Sequence, residues 1–234
     1  MVKRCIFLIL CLVTIRAASQ PVSGTTGLLN IPTADMQNDG TIMSGANFLP
    51  PTLTPATWDY NTWNYYVNIT FLPFIELSYR MTLFKLNESK TFNNQDRSIA
   101  ARLRILKEKK NLPSIVFGVN DLFASDIKIT GSRYFSNLYI VGTKTFSFDG
   151  HQIKATAGYK KELTTQESLT GFLAGISYSP SFLNNLKFMA DYDSNVFNIG
   201  AGLLLFNHLY LYGMAHNLKN LAGGFSYLIY LKHS

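Results

Sequence analysis

The chain has 234 residues, 47% of them hydrophobic, 14% aromatic and 15% charged, with a formal net charge of +7. Lys3, Arg4 and Arg16 sit in the first twenty residues, so the remainder carries about +4 with no dense basic face, which argues against nucleic acid as a partner. Cys5 and Cys11 are its only cysteines and lie there too, which excludes a disulfide scaffold or a Cys-ligated metal site in the rest.

In chain order, residues 1–19 read as a signal peptide. Lys3 and Arg4 precede the apolar run "CIFLILCLVTI", and Ala17-Ala18-Ser19 offers small residues for cleavage before Gln20. Eleven apolar residues are too few to span a bilayer as a helix. Residues 20–39 follow, with "GTTGLLNIPTADMQNDG" at 24–40. This stretch has too many breakers for a strand and too apolar a centre for an ordinary linker. Gly24 and Gly27 permit turns, Pro32 fixes a bend, and Leu28, Leu29 and Ile31 offer apolar contact. The expectation is a periplasmic or plug segment that tucks into the barrel mouth and partly fills it.

From residue 40 onward, apolar and polar residues alternate with period two. "FIELSYRMTLF" puts Ile75, Leu77, Tyr79, Met81 and Leu83 on one face and Glu76, Ser78, Arg80 and Thr82 on the other. Twelve strands are predicted: 40–49, 62–72, 74–84, 97–107, 114–121, 133–148, 151–161, 170–179, 186–193, 196–206, 208–216 and 220–231. Most match the ~9–11 residues a tilted strand needs to cross a bilayer. Long and short connections alternate through the first eight strands, as in an outer-membrane barrel with long loops outside and short turns on the periplasmic side. A sheet survives in hydrocarbon only when closed on itself. The predicted fold is therefore all-β, an antiparallel up-and-down transmembrane barrel of about twelve strands over 40–232. It would sit in the outer membrane of a Gram-negative cell, against lipid and lipopolysaccharide. Trp58, Trp63, Tyr65, Tyr66, Phe71, Phe74, Tyr210 and Tyr230, near strand ends, suit aromatic girdles.

The opening segment also resembles the YjbH family of outer-membrane proteins, associated with exopolysaccharide production. The residues that carry the resemblance are Gly24, Gly27, Leu28, Leu29, Pro32, Thr33, Ala34, Met36, Asp39 and Gly40. "YYVNITFLPFIELSYR" (65–80), "DRSIAARLRILKEKKNLPSIVFGVNDL" (96–122) and "SRYFSNLYIVGTK" (132–144) extend it to about residue 148. The resemblance implies a role in surface polysaccharide production or export, with other exopolysaccharide-machinery proteins as partners. Larger family members hold more than one such region; this chain has room for one barrel, so a two-barrel mechanism does not carry over.

The polar faces assign Glu76, Arg80, Arg102, Arg104, Lys144, Lys154, Lys160, Asp191 and Asp193 to a lumen. A hairpin of strands three and four is expected to set Arg80 near Arg102 and Glu76 near Arg104. Such a cluster either crosslinks the lumen by ion pairs or lines a path for an anionic polysaccharide. A passive pore or structural barrel is the alternative function. The third is an outer-membrane hydrolase built on Ser194 or Asp193 with His216. No HExxH or GxSxG is present, "DYDSN" lacks the Gly and Glu of a calcium loop, and "GAGLLL" lacks the third Gly of a dinucleotide site. The expectation is no enzyme, no cofactor and no metal.

Overall fold

The computed structural model describes residues 22–86, 89–121, 135–163 and 170–232; the expected signal peptide lies outside them. Twelve strands form the fold: β1 (Thr41–Leu49), β2 (Thr62–Phe71), β3 (Ile75–Phe84), β4 (Asn94–Leu106), β5 (Ser114–Asn120), β6 (Asn137–Phe148), β7 (His151–Glu162), β8 (Gly171–Ser179), β9 (Leu186–Asp193), β10 (Val196–Leu205), β11 (Leu209–His216) and β12 (Asn220–Tyr230). Each pairs antiparallel with its neighbours in the chain, and β1 closes on β12 from Thr41↔Tyr230 to Phe48↔Gly223. Closure removes the two free sheet edges, so every strand has a ladder on both sides.

Because the strand number is even, β1 starts and β12 finishes at the same end. That turn end carries the connections 72–74, 107–113, 149–150, 180–185 and 206–208. The opposite loop end carries 50–61, 85–93, 121–136 and 163–170, then only 194–195 and 217–219. Both central residues have positive φ in Asp149-Gly150, Phe206-Asn207 and Asn217-Leu218, the turn geometry that matches the right-handed twist of flanking strands. Only the first carries the Asp-Gly signature that makes such a turn legible in sequence.

The barrel is apolar outside and polar inside over β2, β3 and much of β4. Val67, Leu77, Tyr79, Ile99 and Leu103 are exposed, while Asn64, Asn68, Glu76, Ser78, Arg80 and Arg102 are buried. The far wall differs. Leu173, Met189, Leu204, Tyr210, Tyr212, Met214 and Leu228 face inward and form one apolar cluster with Val22, Leu28, Leu29, Ile31 and Ala34 of the N-terminal segment. The core of the molecule therefore lies within the barrel, between its β8–β12 wall and a segment threaded through the lumen.

Two expectations need correction here. β4 begins at Asn94 and not 97, which shortens the loop before it and shifts the β3–β4 register. Glu76 consequently faces Arg102 and Arg80 faces Ser98, so the expected pairs Glu76 with Arg104 and Arg80 with Arg102 do not form across the ladder. In β6 the inward residues are Tyr139, Val141 and Thr143. Lys144 has the opposite phase and leaves the lumen set: its ammonium reaches the 107–113 turn, donating to the carbonyls of Lys109 (2.6 Å) and Lys110 (2.9 Å) and pairing with Glu108 at 3.2 Å. The start of β6 is Asn137; residues 133–134 of the predicted strand lie outside the described residues.

Candidate functional site: a plugged lumen and its outer vestibule

The segment 22–39 enters at the turn end. Asp39 accepts from the Leu72 backbone N–H at 2.8 Å and from Lys232 just after β12, and Gly40 N–H donates to Thr70 at 2.9 Å. Above this root the chain folds back as a small hairpin, bridged at Gly27↔Pro32 and closed by Leu28 N–H to the Ile31 carbonyl at 2.9 Å. A segment with so little secondary structure of its own must pass its backbone groups to side chains. The polar wall receives them. Asn47 and Asn64 donate to the Val22 carbonyl at 3.3 and 2.9 Å, and Asn68 and Ser78 to that of Gly24 at 3.1 and 2.9 Å. Gly24 has φ +78°, and a Cβ there would lie 2.9 Å from Tyr66, so both conformation and space call for glycine.

The base of the hairpin is clamped by Glu76 and Arg102, a pair 3.0 Å apart with both side chains fully buried. Glu76 Oε1 accepts from Thr26 N–H and from Asn68 Nδ2, each at 2.7 Å. Arg102 Nη1 donates to the Thr26 carbonyl at 2.7 Å; Nη2 donates to Thr33 and, at 3.2 Å, to Asp35. One guanidinium thus holds both strands of the hairpin. Ala34 is fixed on both sides, its N–H to Thr143 Oγ1 at 2.8 Å and its carbonyl from Ser114 Oγ at 3.0 Å. Asp35 pairs with Lys154 at 2.9 Å. Burial works to raise the Asp35 carboxyl, but the Lys154 ammonium, backed by Lys187 and Arg102, outweighs it and holds it below the ordinary 3.8.

The hairpin tip crosses to β9. Leu29, Asn30 and Ile31 point their N–H groups at Asp191 Oδ2, at 2.9, 2.8 and 3.3 Å, a nest of donors around one carboxylate oxygen. Asn30 Nδ2 adds a bond to Asp193 Oδ2 at 2.8 Å. Asp191 Oδ1 accepts from Asn198, whose amide oxygen lies 2.8 Å from His216 Nδ1. Gly175 and Gly200 make room for the tip: a Cβ at Gly175 would lie 2.4 Å from Leu28 Cδ1, and one at Gly200 2.9 Å from Leu29 Cδ2.

Of the sequence-predicted charges, Glu76, Arg102, Lys154, Asp191 and Asp193 meet on the plug. Arg80 and Lys160 stand higher, toward the loop end. Arg104 remains apart at the turn end, donating to the Pro73 carbonyl, beside a break in the β4–β5 register between Arg104 and Leu106. Among the expected girdle residues, Trp63, Phe71 and Phe74 face outward, but Tyr66 and Tyr210 are buried in the lumen and Trp58 of the 50–61 loop stacks on Phe84. Sequence reasoning missed Thr143, Ser114, Asn47, Asn64 and Asn68 as plug anchors. Their one signal, an inward phase with a small polar side chain, is shared with ordinary lumen residues.

Above the plug a cavity of about 120 Å³ remains. Its floor is Ser23, Asn30 and Pro32; its walls include Arg80, Asn120, Lys160, Glu162, Asp193 and His216, with Phe135 and Leu53 beside them. Lys160 lies 2.7 Å from Asp193 and 3.6 Å from Glu162. The Arg80 guanidinium sits 4.3 Å over the Phe135 ring. At the rim, burial and the charge of Asp96 push the Asp121 carboxyl up to about 7, against the opposing pull of Arg80.

A family model described as exopolysaccharide biosynthesis protein YbjH matches residues 19–200. The chain belongs to the YjbH family. The match runs well past the 24–148 stretch that carries the resemblance by eye, into β10. It includes the whole plug and most of its anchors. In this YjbH chain the motif residues Thr33 and Ala34 are the ones clamped by Arg102, Thr143 and Ser114, which gives the motif a structural meaning. Among solved structures similar to the chain is the outer membrane phospholipase A from Escherichia coli, at 12% identity and TM-score 0.40, covering 82% of this chain and 92% of that one. Among curated proteins no match is found.

Proposed function

We propose that this YjbH-family barrel resides in the outer membrane and serves exopolysaccharide production as a closed barrel, with its loop end at the cell surface and the plug root in the periplasm. The observation that carries the reading is the plug itself. Its backbone is bonded to both walls of the lumen, and Leu28, Leu29 and Ile31 are buried. Burial of three large aliphatic side chains at ~1.5–3 kcal/mol each is of the same order as the buried ion pair and outweighs any single hydrogen bond in the segment. An outer surface of exposed Val, Leu, Ile and Phe supports the membrane setting.

The lumen cations do not favour a conduit for a polyanion, because Arg102, Lys154 and Lys160 each face a carboxylate. A polymer path would require the hairpin to leave. The first test is polymer yield in a deletion strain, with loss of exopolysaccharide restored by the full chain. The second is conductance of the purified protein in a planar bilayer. The intact barrel is expected to stay closed, and deletion of 22–38 to give steady channels. Steady conductance of the intact protein with unchanged polymer yield in the deletion strain would instead make it a passive pore.

A further inference from the structure

The vestibule above the plug contains polar groups that are buried without partners among the described residues. Arg80 is 4% exposed and lines the cavity, yet its Nε and Nη2 have no hydrogen-bond partner among the described residues. Asn120 Oδ1 and Glu162 Oε2, on the same cavity, likewise have none among them. A buried donor or acceptor left unmet is unfavourable, so the site has both kinds of group waiting for a polar occupant.

The charges narrow its chemistry. Lys160 is engaged by Asp193 and Glu162, and the carboxylates of Asp96 and Asp121 flank Arg80. A polyanion would be repelled by these acids, and a cation by Arg80 and Lys160. A hydroxyl both donates and accepts, so it can satisfy the guanidinium and the carboxylate at once. Val22, Leu53, Leu173 and Val196 supply apolar surface beside these groups, as the C–H face of a pyranose ring requires. The cavity is small, about 120 Å³, which limits the occupant to one ring entering from the loop end.

We infer that the vestibule binds a single uncharged pyranose unit, resting on the plug. The inference rests on the proposed role in exopolysaccharide production, since that polymer is what the loop end would meet. Ser23, Asn30 and Pro32 form the floor, so the bound sugar would touch the hairpin directly.

The test uses the full chain folded in detergent micelles and isothermal titration with maltotetraose, tetra-N-acetylchitotetraose and tetragalacturonate. One or both uncharged probes should bind, and the anionic probe should not. Arg80→Met and the near-isosteric Glu162→Gln should each weaken binding at least tenfold, with folding checked by heat-dependent migration on a gel. The inference is overturned if neither uncharged probe binds, if tetragalacturonate binds as well or better, or if both variants bind as the parent does. Polymer yield in the deletion strain is read separately, so lost polymer with no sugar binding overturns only the vestibule.

Discussion

Arg102 is the residue on which the plug depends most. It has no exposed surface, pairs with Glu76, and reaches the carbonyls of Thr26, Thr33 and Asp35. Arg102→Met removes five hydrogen bonds and leaves the Glu76 carboxylate buried without its partner, a loss of ~3–5 kcal/mol. The double variant with Glu76→Gln should recover part of it, because no charge is then stranded; urea unfolding in micelles measures both. Asp35 makes the tether pH-sensitive. Its carboxyl is held below 3.8 in the folded chain, so its ion pair with Lys154 stabilises above that pH, and the contribution is lost as pH falls through the lowered value. Channel openings of the intact barrel should increase below about pH 4, and Lys154→Met should increase them already at neutral pH.

At the scale of the element, the hairpin 27–32 has a shape complementary to one wall only. Leu28 and Leu29 occupy space that exists because residues 175 and 200 lack side chains. Gly175→Leu should force the tip off β9, break the three N–H contacts to Asp191, and expose 22–39 to added protease in the folded barrel. Strand ends show the opposite kind of simplicity. Ten of the twelve strands begin within one residue of expectation; β6 starts four residues late, since residues 135–136 lie outside the strand, and β4 departs by three. The departure is small in sequence but it moves Glu76 from Arg104 to Arg102, because a hairpin's register follows the length of its loop.

For the whole molecule, the decisive asymmetry is radial. Exposed aliphatic and aromatic residues cover the outside, and Asn64, Asn68, Glu76, Ser78 and Arg102 of β2–β4 bond to the plug inside. If the outside faces lipid, the cost of a charge there depends on depth. Val67→Arg, in the middle of β2, should cost ~2–4 kcal/mol, whereas Phe148→Arg, at the turn-end rim of β6, should cost ~0–1; folding equilibria in lipid vesicles distinguish the two. Equal penalties at both depths would argue against a spanning barrel.

Period-two alternation was enough to reveal the strands, their number and the phase of most of them, because a pleated strand turns successive side chains to opposite faces whatever surrounds it. The "GLLNIP" centre and its flanking glycines likewise marked 20–39 as a segment with a packing role. Closure decided the rest. Asp191 lies about 160 residues from the N–H groups it collects, and Arg102 about 70 from the carbonyls it holds. No local pattern encodes such distances: a lumen partner is chosen by where the barrel wall curves and by which side chains are small enough to admit the plug, and both exist only after twelve strands have joined.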